Sequence, residues 1–174
     1  MLLRKTIWVV TILWMIAIFF FSSRTGDLSR QDSAWLLDRV NITTQEEAMD
    51  TDNSRAMSLQ MWIRKTAHII IFAGLAMLIY ASLYGYVGKS LMTGVVSWLL
   101  TIIFAITDEI HQYFVPGRGS QVQDVIRDGK GAFWGCLIMV ILFLIIEWVP
   151  AINKIINKIY NLNAKKLIIG YTKR

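Results

Sequence analysis

The chain has 174 residues, of which 55% are hydrophobic and only 17% charged, with a net charge of +6. A soluble domain is about 45–50% apolar and about 25% charged. This balance, with a mean hydropathy of +0.49, excludes a soluble globular domain and points to an integral membrane protein. Cys136 is the chain's single cysteine, so no internal disulfide staples the loops, and a thiol in an apolar block has little thiolate character and reads as packing.

The apolar excess falls into four blocks, residues 7–23, 67–86, 91–107 and 131–149. Each is near the roughly 17–25 residues that cross a bilayer. The predicted fold is therefore all-α: residues 1–149 form one four-helix membrane domain, with an outer loop over 24–60 and a basic tail over 150–174. Arg4 and Lys5 ahead of the first block resemble the start of a secretory signal, but Phe19, Phe20 and Phe21 are too bulky for a cleavage site, so the first span is expected to stay. In the outer loop, residues 33–40 (SAWLLDRV) predict a short amphipathic helix with Trp35, Leu36 and Val40 on the membrane surface. Residues 43–54 are polar and acidic and read as a mobile connector.

The second helix is expected to start before its apolar block, with SLQMWI leading into Arg64, Lys65 and His68. Arg64 and His68 are four apart and share a face. The third helix ends in Asp108 and Glu109, and if it continues, His111 and Gln112 join Asp108 on one side. Pro116-Gly117 breaks it, and the fourth helix is expected from near Ser120. That helix carries Asp124, Asp128, Gly131 and Gly135 in one stripe, the second half a G-x-x-x-G that admits a close neighbour. In the tail, Ile152, Ile155, Ile156 and Ile159 with Lys154 and Lys158 predict a basic amphipathic helix on the inner leaflet.

Charge placement sets the expected topology. With both termini inside, the inner parts hold nine basic residues against one acid, Glu147, and the outer parts nine against eleven. The positive-inside rule favours that arrangement. The basic surplus then reads as topology and attraction to anionic lipid, not nucleic-acid binding. Four polar blocks meet at the outer face: Ser22-Ser23, Arg64-Lys65-His68, 108–112 and 118–128. Arg64 and Lys65 taken at a helix N-terminus, and Asp108 and Glu109 at a helix C-terminus, each oppose their macrodipole, so an ion-pair network between the second and third spans is expected. The inner face offers only scattered lysines. His68 is the candidate general acid or base, with Glu109 or Asp108 as partner. His68, His111, Asp108, Glu109 and Asp124 are all possible ligands, but no spacing is a metal signature such as H-E-x-x-H, so neither metal nor cofactor is expected.

FSSR, RKTAHIIIFAGLA and DEIHQYFVPGRGSQVQDVIRDGKGAFWG together resemble the VanZ-like membrane protein family over roughly residues 8–146. The matching polar positions are Ser22, Ser23, Lys65, His68, Asp108, Glu109, Gln112, Arg118, Asp124 and Gly131. Asp128 stands where the family often has Asn, and Lys130 where an apolar residue is expected. The resemblance implies a multi-pass protein of a Gram-positive cell envelope that reduces susceptibility to teicoplanin and related lipoglycopeptides through an outer-leaflet polar site. It leaves an intramembrane enzyme as the alternative, with His68, Glu109 and Asp108 catalytic. Ser22, Ser23, Arg64, Lys65, Gln112, Arg118, Asp124 and Asp128 would then hold the substrate. A lipid transporter is the third reading. The expected partners are membrane lipids and a lipid-linked cell-wall precursor or a lipoglycopeptide.

Overall fold

The computed structural model describes residues 2–50, 52–87 and 90–160. It is all-helical: α1 Leu2–Ser22, α2 Gly26–Arg39, α3 Gln45–Met49, α4 Ser54–Leu83, α5 Ser90–Tyr113, α6 Val122–Trp148 and α7 Pro150–Tyr160. Four of these, within α1, α4, α5 and α6, are long and apolar enough to cross a membrane. The rest of the predicted tail, 161–174, lies outside the described residues.

Small residues set how closely the long helices approach. A Cβ at Gly131 or Gly135 of α6 would overlap the backbone carbonyl oxygen of Ile69 or Ala73 of α4, so the G-x-x-x-G pair brings those two helices together, as its spacing predicts. On α5, Ser90, Thr93, Gly94, Ser97, Thr101 and Ala105 are buried, and the same run of buried positions ends in Asp108 and Gln112. A polar contact joins α1 to α4 inside the bundle: the Thr11 and Ser82 hydroxyls lie 2.9 Å apart, and Thr11 also donates to the carbonyl of Ile7 at 2.9 Å. In lipid such pairs help hold helices together where apolar burial gives no preference. The apolar core between these helices is built on Ile18, Phe72, Leu75, Ile79 and Phe104.

Helix α4 begins well before its apolar block. Asn53 caps it by accepting from the Ala56 N–H, and the buried Gln60 donates to the Ala48 carbonyl. Its 30 residues make it about 45 Å long, against a hydrocarbon core of about 30 Å. Arg64 and Lys65 therefore sit ten residues into α4, about 15 Å from its start. They are not at a helix N-terminus, and the macrodipole penalty expected for them does not arise.

The connector expected over 43–54 is ordered in its middle. Thr44 and Glu47 form a reciprocal capping box around α3. The Thr43 hydroxyl also donates to Glu47 at 2.7 Å, and that bond holds the Glu47 carboxyl below its ordinary range. Ala48 packs on Ala34 and Leu37 of α2. Helix α2 is longer than the predicted 33–40 and leaves Trp35, Leu36 and Val40 exposed.

The end of the bundle that carries α7, where the sequence suggests only scattered lysines, holds a cluster of Tyr84, Ser90 and Glu147. The Tyr84 hydroxyl donates to Glu147 at 2.8 Å and the Ser90 hydroxyl at 2.6 Å. Burial and the adjacent carboxylate push the Tyr84 phenol well above its ordinary value. Tyr84, Phe143 and Tyr160 pack through tilted and edge-on ring contacts, and the Arg4 guanidinium lies over the Tyr86 ring, 3.2 Å from its centroid.

Candidate functional site

The opposite end gathers Ser22, His68, Asp108, Gln112, Arg118 and Asp128. Asp108, 1% exposed, accepts from the Ser22 hydroxyl at 2.9 Å and from the Gln112 amide at 2.7 Å. It thus ties α1 to α5. Beside it, α4 meets α6 through His68 Nδ1 and Asp128 Oδ2, 3.4 Å apart. Asp128 is 1% exposed, and the Gly131 contact one turn along α6 holds its helix against α4. The second carboxylate oxygens, Oδ1 of Asp108 and of Asp128, are buried without a hydrogen-bond partner among the described residues. Both aspartates act electrostatically on His68.

Arg118 acts as a clamp. Its Nε donates to the Arg24 carbonyl at 3.0 Å, Nη2 to the Phe21 carbonyl at 2.9 Å and Nη1 to the Gln112 side chain at 3.1 Å. It thereby satisfies carbonyls left open at the end of α1. Burial, with the Arg64 charge nearby, lowers the Arg118 guanidinium below its ordinary value, yet an arginine stays charged at neutral pH. The loop is tied down at the same place: the Gly26 N–H donates to the Pro116 carbonyl at 3.0 Å, and a Cβ at Gly26 would overlap the Gly117 carbonyl.

The ion-pair network expected between Arg64-Lys65 and Asp108-Glu109 does not form. Among the described residues the ion pairs are Arg24–Asp32, His68–Asp128 and Arg127–Asp124. The cause is geometric. Glu109 turns toward the loop, accepting the Gln121 N–H at 2.6 Å, and Asp108 is held by Ser22 and Gln112. Asp124 is the carboxylate whose field reaches Arg64, but it pairs with Arg127 within α6. Asp128, rather than Glu109 or Asp108, is the carboxylate that contacts His68. Its position on α6, a turn before Gly131, is the signal that marks it. Ser23 lies apart from this group, 2.9 Å from His111 Nε2. Among the described residues no three His, Cys, Asp or Glu side chains come together as metal ligands.

Two cavities adjoin the group. One, of about 200 Å³, lies between α1, α2 and α4; its surface is mostly apolar, from Ile18, Phe21, Ile63 and Phe72, with Ser22, Arg24, Asp32 and Arg118 among the polar residues at its edge. The other, of about 250 Å³, lies between α4 and α6 and is lined by Lys65, Asp124, Arg127 and Asp128 among others. Arg64 and His68 line both, so they form the wall between an apolar and a polar chamber. Arg64 makes no hydrogen bond or ion pair with the described residues, which leaves its five N–H donors unspent.

These features define a multi-pass membrane protein with four candidate spans and, at one end, a half-buried histidine against a buried carboxylate. The chain matches the VanZ/LLP1 family over residues 7–144 and belongs to it. Neither the curated proteins nor the solved structures give a match.

Proposed function

We propose that the chain is a cell-envelope protein with both termini inside and its polar end at the outer leaflet, where it binds an anionic, lipid-linked envelope component and so lowers susceptibility to lipoglycopeptides. The observation that carries this reading is the His68–Asp128 pair in the wall between two cavities. A histidine with a buried carboxylate behind it is the arrangement of a general base and its orienting partner. In the enzymatic alternative His68 takes a proton from a water as its oxygen bonds to the phosphorus of a bound phosphate ester, and returns that proton to the departing alcohol oxygen as its P–O bond breaks. Asp128 fixes the ring and stabilises the imidazolium, and Arg64 holds the headgroup's negative charge. Ionisable residues at membrane depth are costly and usually serve function. Transport is less well supported, because it needs a matching site at the other end, and there Glu147 is engaged by Tyr84 and Ser90.

The topology half is tested by impermeant thiol labelling. A cysteine placed at Thr44 should label from outside and one placed at residue 163 should not; the reverse would move the polar end to the cytoplasm. The chemistry half is tested by expressing His68→Ala and Asp128→Asn in a susceptible Gram-positive host. Both should fold and insert normally, and both should lose the protection against teicoplanin that the wild-type chain gives. Removing a positioned acid–base group typically costs about 10²–10⁴-fold in turnover. Full protection by His68→Ala would favour shielding without chemistry.

A further inference from the structure

Resting on that reading, we propose that the ligand is a phosphate-bearing membrane lipid that lies across both cavities, its hydrocarbon between α1, α2 and α4, its phosphate on Arg64, and the rest of its headgroup between α4 and α6. Four observations converge on this. The surface of the cavity between α1, α2 and α4 is mostly apolar, from Ile18, Phe21, Ile63, Ile71 and Phe72, which suits hydrocarbon, and of the charged residues that also line it Arg24 pairs with Asp32 and Arg118 is bonded to the protein. The cavity between α4 and α6 carries Lys65, Asp124, Arg127 and Asp128, a set that can bond hydroxyls and charges of either sign. The residues common to both are Arg64 and His68, one turn apart on α4. The phosphate of a lipid lies where its hydrocarbon ends and its headgroup begins, so the shared wall is where that group must sit.

The cations at this end differ in what they can still bind. Arg118 has given Nε, Nη1 and Nη2 to the protein, Arg24 pairs with Asp32 at 2.7 Å and Arg127 with Asp124. Arg64 alone among these arginines keeps all its donors, and a guanidinium matches a phosphate with two parallel bonds. Its place about 15 Å along an α4 of about 45 Å puts it near the edge of the hydrocarbon, the depth at which a lipid phosphate lies. The ligand therefore enters sideways from the leaflet, past Phe21 and Leu36, which are exposed at the edge of the apolar cavity.

The full chain in nanodiscs of phosphatidylcholine provides the test. Dioleoyl phosphatidic acid, dioleoylglycerol and inorganic phosphate serve as probes, and binding is read by native mass spectrometry and by crosslinking to a photoactivatable phosphatidic acid. Wild type should retain phosphatidic acid at least about tenfold over the phosphate-free diacylglycerol, the scale of a charged bidentate contact. Arg64→Gln should abolish that preference and Arg64→Lys should keep part of it. Ala67→Leu, which fills the apolar cavity, should weaken both lipids alike. Crosslinks should fall on α1 and α4. Equal retention of the two lipids, an unchanged preference in Arg64→Gln, or displacement of phosphatidic acid by millimolar inorganic phosphate would each overturn the proposal. The outcomes separate from those of the acid–base reading: phosphatidic acid retained by His68→Ala with protection lost supports both, and retained with protection intact refutes only the chemistry.

Discussion

Asp108 and Asp128 occupy similar burial and do different work. Asp108 is spent on two neutral donors, Ser22 and Gln112, so it closes the seam between α1 and α5. Asp128 faces a side chain that can itself take up a proton. Their neighbour Glu109 is committed to the backbone at Gln121. Lys65 and Glu109 are thus independent residues although their charges are opposite. Glu109→Gln and Lys65→Met should add in a double-mutant cycle, with a coupling below about 0.5 kcal/mol in SDS or thermal unfolding. His68→Ala with Asp128→Asn should be non-additive by about 1–3 kcal/mol, because each single change strands a buried partner. A coupling of that size between Lys65 and Glu109 instead would mean that the loop at Gln121 gives way to an ion pair in the membrane.

At the level of helices, the sequence pattern carried the spans and the close α4–α6 approach, because hydropathy over a membrane length and a G-x-x-x-G pair are local signals. The register of the polar side chains was not local. Arg64 and Lys65 were read as helix-end charges because the apolar block starts at Ala67, whereas Asn53 capping and the Gln60–Ala48 bond carry α4 back to Ser54. The Tyr84, Ser90 and Glu147 cluster is not local either: Glu147 lies 63 residues from Tyr84 and 57 from Ser90, and they meet only on folding. The glycine contact also makes a prediction about the site. Gly135→Leu must push α6 away from the Ala73 carbonyl, an overpacking cost of about 1–3 kcal/mol, and with it Asp128 away from His68. Stability and protection against lipoglycopeptide should fall together, while Lys130→Leu on the exposed face of α6 should leave both near wild type. Loss of protection in Gly135→Leu with unchanged unfolding would separate the glycine from the packing role.

For the molecule as a whole, the two spanning helices that wall the apolar cavity, α1 and α4, differ in length. Helix α1 has 21 residues and α4 has 30, about 31 Å and 45 Å, and Arg118 pins the end of the short one to the loop and to α5. A short, pinned helix beside a long one would make the bundle sensitive to bilayer thickness. In a membrane much thicker than α1, the lipid must thin locally or the bundle must tilt, at a cost of fractions of a kcal/mol per Å, and either response changes how deep Arg64 and His68 lie. Protein in short-, medium- and long-chain phosphatidylcholine should therefore bind phosphatidic acid best at the medium length that matches α1. Arg118→Met, which frees the end of α1 from its clamp, should flatten that dependence. A cell that remodels its lipids with temperature or stress would, by this route, retune the protein without any change in its amount.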